Sequence, residues 1–487
     1  MAELATVTVD QGKLAGKKPP QDPESWDGER DATTEGAVAP QITYLLNKYA
    51  GKEDCLYLNV HTPQASDLFH YKGSKGCPSI FSSRSSPPRR SSNSRYFDNS
   101  VSVSTLKPVM FWIHGGSFQS GSGSSKFYGP DYIVAEDIVL VTINYRLGVL
   151  GKLRFNRRNC IWPTKGFLDV EGSDVVANNG LRDQVMALRW VRDNISQFGG
   201  DPHNVTIFGE SAGATSVHAL LLAPSSEGLF HKAIAQSGTV LLCQLKSTVS
   251  NQRAFRLGKA LGCETKDPQT LVEFLRTIPD QEIILAQGKA LTDVEKSVIS
   301  TPFIPTDESG PNAFIPGDPL RLLHEGKFHK VPYLTGVTSA EGKLFITGGF
   351  DPATITNEKL LPRSLRENLS PGDSYDLGSK VKEFYFGDKT LCGETMDRYV
   401  KMLSDVYFLY SLFLTVKLQL KHTDSPVYTY QYDHKRPPQL DKLIPDFTKN
   451  VPEVSTKEAM RLLYFTQTGS SPYIPVIGSL MTCLLRE

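Results

Sequence analysis

The chain of 487 residues has almost no net charge, because 53 Lys and Arg residues are balanced by 52 Asp and Glu residues. A protein without an excess of positive charge has no long-range field that attracts nucleic acid or an anionic membrane, so we expect neither as a partner. The hydrophobic fraction of 39 % and the charged fraction of 22 % are ordinary globular values, which excludes global disorder.

Long apolar runs and paired cysteines are also missing. The longest run, residues 406–416 (V-Y-F-L-Y-S-L-F-L-T-V), is too short to span a bilayer, so we expect a core helix there and no membrane span. The first residues, M-A-E-L-A-T-V-T-V-D-Q-G-K, lack a basic segment followed by an apolar run, which predicts no signal peptide. Seven cysteines without a C-x-x-C pair argue against a zinc knuckle or a disulfide scaffold and favour a reducing, cytoplasmic compartment.

What the sequence does contain is an alternation of buried strands and helices. Four continuous apolar runs are typical of strands buried on both faces of a parallel sheet. They are residues 109–114, 138–145, 205–208 and 233–235. Between the second and third runs, apolar residues recur every three or four positions from Leu181 to Ile195, which predicts a helix. This order predicts an α/β fold with a mostly parallel central sheet flanked by helices.

Two stretches interrupt the pattern, at residues 72–105 and 152–166. The first is rich in Ser, Arg and Pro and has few side chains that can pack in a core, so we expect a disordered surface insertion. A phosphorylatable basic loop is the alternative interpretation of the same composition. The second stretch separates L-G-V-L-G from F-L-D-V-E-G, and we expect it to be a disordered insertion as well.

The strongest chemical signal is G-x-S-x-G at Gly209, Ser211 and Gly213. It follows the strand-like N-V-T-I-F and precedes the helix-like A-T-S-V-H-A-L-L-L, which is the context of a nucleophile elbow. In that turn the serine hydroxyl is exposed at the N-terminus of a helix, whose dipole favours the alkoxide and the oxyanion. We therefore interpret Ser211 as a catalytic nucleophile rather than part of a plain glycine-rich turn.

A second signal is H-G-G at residues 114–116, after the strand K-P-V-M-F-W-I. Because glycine has no Cβ, the backbone N–H groups of Gly115 and Gly116 can approach a substrate closely. Together with the N–H of Ala212, they predict an oxyanion hole with three donors.

With these residues in place, the sequence resembles the type B carboxylesterases, in the style of the insect intracellular α-esterases. The matching segments are E-D-C-L-Y-L-N-V (53–60), F-W-I-H-G-G (111–116), N-Y-R-L-G-V-L-G (144–151), N-G-L-R-D-Q (179–184), F-G-G-D-P-H-N-V-T-I-F-G-E-S-A-G (198–213), L-F-H-K-A-I-A-Q-S-G (229–238), G-V-T-S-A-E-G (336–342) and S-P-V-Y-T-Y-Q-Y-D (425–433). The resemblance implies a single α/β-hydrolase domain over 1–487, with the two insertions. It also implies a serine esterase acting on small carboxylic esters without a metal or an organic cofactor. It predicts neither the ester nor the oligomeric state.

The resemblance also implies a Ser–Glu–His triad, in which Ser211 and Glu341 match the nucleophile and the acid. The family has its catalytic histidine in a segment resembling H-G-D-D-L-G-Y-L-F, and here that region is P-Q-L-D-K-L-I-P-D-F (438–447). Alignment places Gln439 at the histidine position, unless the segment is deleted. The catalytic His is therefore unknown, with His434 as the one replacement that lies near the expected strand end. We expect impaired activity as a result.

Other departures concern cysteine. In secreted members of the family, cysteines stand at the positions that Ala39 and Phe274 occupy here, as partners of Cys55 and Cys263, so we expect both thiols to be free.

A catalytically dead binding or adhesion-type protein of the same fold is the alternative function. The two insertions and the absence of the family's histidine have two explanations, a mis-joined gene model and a decayed paralogue.

Overall fold

A computed structural model provides the architecture of the chain. It describes residues 5–10, 32, 34–43, 47–63, 106–149, 155–156, 159–160, 166–242, 246–292, 295, 301–346, 351–362, 366, 369–433 and 461–463.

Strands alternate with helices along the described residues. The strands are β1 (Ala5–Asp10), β2 (Gln41–Ile42), β3 (Tyr49–Ala50), β4 (Tyr57–Thr62), β5 (Lys107–Ile113), β6 (Val139–Ile143), β7 (Phe155–Asn156), β8 (Asn159–Cys160), β9 (Gly200–Glu210), β10 (Lys232–Gln236), β11 (Tyr333–Thr338), β12 (Val427–Tyr432) and β13 (Arg461–Leu463). The α-helices are α1 (Asp131–Ala135), α2 (Asn179–Asn194), α3 (Ala212–Leu222), α4 (Ser247–Ala260), α5 (Pro268–Thr277), α6 (Asp280–Ala286), α7 (Pro319–His324), α8 (Pro371–Phe386), α9 (Met396–Leu403) and α10 (Tyr410–Gln419).

Nine of the described strands form one sheet in the order β1-β4-β6-β5-β9-β10-β11-β12-β13. The pairs from β6 through β12 are parallel, whereas β1–β4, β4–β6 and β12–β13 are antiparallel. The prediction of a mostly parallel sheet is therefore confirmed. In parallel strands the carboxyl ends meet at one edge of the sheet, and the loops after β5, β9, β10 and β11 carry the residues of the candidate site.

Burial explains why the central strands are mostly apolar. All five residues of β6 are buried, as are Val109, Phe111 and Ile113 of β5 and Val205 and Ile207 of β9. Helices cover both faces, so neither face of these strands needs polar side chains. The strand β9 begins at Gly200, five residues before the apolar run that predicted it. Its first residue already pairs with Lys107 of β5, so sheet pairing outweighs the turn tendency of G-D-P-H-N.

The apolar run at residues 406–416 is part of a longer helical stretch than the sequence predicted. Helix α9, a π-helical turn (Ser404–Leu409) and α10 follow one another without a break. Among the described residues, the stretch Gly393–Gln419 is the one helix long and apolar enough, by length and composition alone, to cross a membrane. However, 56 % of its most apolar window is buried inside the structure, which favours the expected core helix.

Two predictions from the sequence concern the insertions and the cysteines. Residues 72–105 lie outside the described residues, as do most of residues 152–166, where a short hairpin of β7 and β8 is described. Cys55 and Cys263 are free cysteines, which confirms the expectation for this pair.

Candidate active site

Ser211 lies at the sharp turn between β9 and α3. Its backbone angles, φ 58° and ψ −119°, are rarely adopted by a residue with a side chain, and such strain costs about 1–3 kcal/mol. Two hydrogen bonds fix this conformation: the Ser211 N–H donates to the Gln236 carbonyl at 2.8 Å, and the Ser211 carbonyl accepts from the Thr215 N–H at 2.9 Å. The strained turn presents the half-buried serine at the carboxyl edge of the sheet.

The glycines around Ser211 are required by close backbone contacts. A Cβ on Gly209 would lie 2.6 Å from the Ile113 carbonyl oxygen, and a Cβ on Gly213 would lie 2.0 Å from the same oxygen. A Cβ on Gly238 would lie 2.5 Å from the Ser211 carbonyl oxygen. Real Cβ atoms do not approach this closely, so the turn, the end of β5 and the loop after β10 pack together only without side chains.

The loop after β5 packs directly against Ser211. A Cβ on Gly115 would be 3.3 Å from the Ser211 Cβ and 2.7 Å from the Glu210 carbonyl oxygen, so the two loops touch. Gly116 follows with φ +109°, and its carbonyl accepts the N–H groups of Gln119 and Ser120, each at 3.0 Å. Ala212 is the first residue of α3. The structure therefore brings Gly115 against the Ser211 turn, and the other two predicted donors, Gly116 and Ala212, are adjacent in the chain to these residues.

Glu341 begins a 3₁₀ turn (Glu341–Phe345) just after β11. Its Oε1 accepts the Ser237 hydroxyl at 2.5 Å and the Thr338 N–H at 2.7 Å. Burial raises the pKa of the Glu341 carboxyl, and these hydrogen bonds act in the opposite direction. Ser237 was not predicted from the sequence, although the segment A-Q-S-G at 235–238 is part of the family resemblance.

The turn that carries Glu341 is tightly packed against α9. The Gly342 N–H donates to the Ser404 hydroxyl at 2.8 Å, and that hydroxyl donates to the Val400 carbonyl at 2.8 Å. A Cβ on Gly342 would be 2.1 Å from the same Val400 oxygen. The position of Glu341 is therefore set by the helix beside it as well as by its own strand.

Glu210 places a second carboxylate at the site, which the sequence analysis did not anticipate. A Cβ on Gly115 would lie 2.7 Å from the Glu210 Oε2. Although the side chain keeps contact with solvent, the protein around the carboxyl and the negative charge of Glu341 raise its pKa to about 7. The charge of Glu341 therefore acts on the Glu210 carboxyl.

Four of the described histidines make hydrogen-bond contacts with groups other than Glu341. His218 is fully buried in α3 and accepts the Val240 N–H at its Nδ1, at 3.1 Å. His231 accepts the Val205 N–H in the middle of β9, and His329 contacts the Ala223 carbonyl. His114 contacts the Gly115 carbonyl. The sequence-based candidates for the base position, Gln439 and His434, lie outside the described residues.

Comparison with known proteins shows which family the chain is similar to. The model of the carboxylesterase family matches residues 17–470. The chain is 34 % identical over 430 residues to esterase E4 of Myzus persicae, covering 86 % of this chain and 68 % of the relative. It is 32 % identical over 441 residues to the juvenile hormone esterase of Tribolium castaneum, covering 86 % and 66 % of the two chains. The chain thus spans about two thirds of the length of these curated relatives.

Solved structures match the chain over a similar share of its length. The juvenile hormone esterase of Manduca sexta, solved with OTFP covalently attached, superposes with a TM-score of 0.68 at 27 % identity, covering 90 % of this chain and 76 % of that one. A PNB esterase superposes with a TM-score of 0.65 at 29 % identity, covering 89 % and 78 %.

Proposed function

The chain belongs to the carboxylesterase family and has the α/β-hydrolase fold, and from this premise we propose that it hydrolyses carboxylic esters through an acyl-enzyme on Ser211. The observation that carries the proposal is the contact between the strained Ser211 turn and Gly115. This contact supports the proposal, because acyl transfer requires a nucleophile close to backbone N–H donors and a helix N-terminus.

In the proposed reaction, the Ser211 Oγ forms a bond to the ester carbonyl carbon while the carbonyl π bond breaks. The N–H groups of Gly115, Gly116 and Ala212 stabilise the resulting oxyanion. The base takes the Ser211 proton during the attack. The tetrahedral intermediate then re-forms the carbonyl while its bond to the leaving oxygen breaks, and the base passes the proton to that oxygen, which leaves as the alcohol. Water attacks the acyl-enzyme by the same steps and releases the acid from Ser211. Glu341, held by the Ser237 hydroxyl, orients the base and stabilises its protonated form.

The base sets the rate in this proposal. If Gln439 occupies the histidine position, no group takes the Ser211 proton, since an amide is not appreciably basic near neutral pH. By analogy with removal of the histidine from another serine hydrolase, turnover falls by about six orders of magnitude, or about 8–9 kcal/mol. Without the base, Ser211 and the oxyanion donors are still present, so Ser211 should react slowly with strongly activated reagents.

A short-chain aryl ester and a fluorophosphonate probe test the proposal together. We expect very slow hydrolysis of the ester and slow labelling of Ser211, with both lost in Ser211→Ala. Gln439→His should raise the hydrolysis rate by orders of magnitude if the substituted loop follows the family. Full activity that disappears in His434→Ala would instead make His434 the base. Activity that survives Ser211→Ala would refute the mechanism.

A further inference from the structure

The N–H groups of Gly115 and Gly116 each share a peptide unit with the carbonyl of the preceding residue. Both of these carbonyls contact a side chain. The Tyr145 hydroxyl donates to the His114 carbonyl at 2.8 Å. The imidazole of His114 contacts the Gly115 carbonyl through Nδ1 at 2.7 Å. A tyrosine from the loop after β6 and a histidine from the loop after β5 therefore hold consecutive peptides.

Because a peptide unit is planar, a contact that fixes the direction of its carbonyl also fixes the direction of its N–H group. In a planar trans peptide the C=O and the N–H point in opposite directions. When Tyr145 holds the His114 carbonyl, the Gly115 N–H at the other end of that peptide points away from the tyrosine. When the His114 ring holds the Gly115 carbonyl, the Gly116 N–H points away from the ring. Glycine has few backbone restraints of its own, so these two contacts set the direction of both donors.

The groups that hold the carbonyls are themselves rigid. Tyr145 and His114 are both almost completely buried, and their rings stack with centroids 4.3 Å apart. Gly121 lies so close that a Cβ there would be 2.3 Å from the His114 Nδ1. The amide of Gln41 fixes Gly121 in turn, accepting its N–H at 2.7 Å and donating to its carbonyl at 2.8 Å.

The chemistry of the contact also fixes the tautomer of His114. A carbonyl oxygen only accepts hydrogen bonds, so Nδ1 carries the proton and Nε2 has the lone pair. Within the described residues, Nε2 is buried and has no hydrogen-bond partner. Burial lowers the pKa of His114 to about 4, so the ring is neutral at physiological pH. The buried ring is therefore a hydrogen-bond donor to the loop and is not available as a base.

We propose that Tyr145 and His114 are positioning residues that aim the N–H groups of Gly115 and Gly116 into the oxyanion hole of Ser211. The inference rests on the proposed function and adds two residues that touch neither the substrate nor the reacting atoms. It predicts that their loss weakens stabilisation of the transition state but leaves ground-state binding unchanged.

The test is the saturation kinetics of Ser211 labelling by a fluorophosphonate. In this reaction the Ser211 Oγ bonds to phosphorus, the P–F bond breaks, fluoride leaves and the serine proton passes to solvent, while the phosphoryl oxygen occupies the oxyanion hole. Loss of one oxyanion donor slows catalysis by about 100-fold or more, so we expect Tyr145→Phe and His114→Leu to lower the maximal labelling rate by about 10-fold or more. The half-saturating probe concentration should not change.

Two further variants distinguish a positioning role from a nonspecific effect on the folded structure. His114→Asn keeps an N–H donor near the Nδ1 position and should recover most of the rate that His114→Leu loses. Tyr333→Phe also removes the hydroxyl of a fully buried tyrosine, but in β11, and should change the rate by less than about twofold. No labelling of Ser211 in the unmodified chain would refute the proposed function. Normal labelling that Tyr145→Phe and His114→Leu leave unchanged would refute the positioning roles alone.

Discussion

The ion pair between Arg146 and Asp183 offers a prediction about stability that can be worked out from the structure. The Asp183 side chain is 0 % exposed and that of Arg146 is 3 % exposed. One carboxylate oxygen, Oδ2, accepts both the Arg146 Nε–H at 2.6 Å and the Arg146 backbone N–H at 3.0 Å, while Oδ1 accepts from Nη2. Because Arg146 follows Tyr145, this pair also ties the loop that holds the oxyanion peptides to helix α2.

Asp183→Asn keeps the volume of the side chain but leaves the guanidinium buried without a counter-charge. Breaking a buried pair in this way costs about 3–5 kcal/mol, or about two to four powers of ten in the folding equilibrium. A typical protein is stable by only about 5–15 kcal/mol, so the variant should lose a large share of its stability. The double variant Arg146→Met with Asp183→Leu removes both charges and should recover much of that loss.

Guanidinium chloride unfolding, followed by tryptophan fluorescence and circular dichroism, measures the effect. The matched control is Asp193→Asn, which breaks the pair of Arg192 with Asp193, whose side chains are 50 % and 56 % exposed. An exposed pair of this kind contributes about 0–1 kcal/mol, so this variant should unfold almost as the parent does. A loss in Asp183→Asn of less than about 1 kcal/mol, or no larger than that of the control, would refute the reasoning.

Three other predictions concern the site and the cysteines. Gly213→Ala should abolish fluorophosphonate labelling of Ser211 and lower the unfolding temperature, because the added methyl group would meet a backbone carbonyl at 2.0 Å; retained labelling would contradict the packing argument. The Glu210 carboxyl has a pKa of about 7, above its usual 4.5, so the folded state binds a proton that the unfolded state releases. The free energy of unfolding should therefore fall as the pH rises between these values, and Glu210→Gln should flatten that slope in thermal scans. Burial raises the pKa of the Cys55 thiol, so iodoacetamide should alkylate the partly exposed Cys263 in the native protein and leave Cys55 unmodified, as mass spectrometry would show.

The sequence predicts an element well when the pattern that indicates it lies within the element itself. The apolar runs at residues 109–114 and 138–145 predicted β5 and β6 within one or two residues, since strands buried on both faces consist mostly of apolar residues. The beginning of β9 and the length of the helix around residues 406–416 were not predictable. Both depend on neighbours far along the chain, namely β5 for the strand and the turn of Glu341 for the helix.

The residues of the candidate site also fall into two groups, those that a local motif predicts and those that only the folded structure brings together. The elbow at Ser211 and the glycine loop at residues 115–116 have sequence motifs, because each needs a particular residue type within a few positions. Ser237, Tyr145 and the contact of His114 act through loops that meet only at the edge of the folded sheet. No short motif marks such residues, and the long resemblance contains them without indicating what they do.

The π turn at Ser404–Leu409 has a consequence for how this region can change in length. A π turn holds more residues than an α turn, so it rotates the helix beyond it by about 100° for each additional residue. The helix α9 before it packs on the Glu341 turn, and α10 after it contacts α7. Deleting one residue at 404–409 would bring α9 and α10 back into phase and turn one of these faces away from its neighbour. Substitutions are therefore easier to accommodate here than a change in length. A single-residue deletion would displace either Glu341 or the contact of α10 with α7.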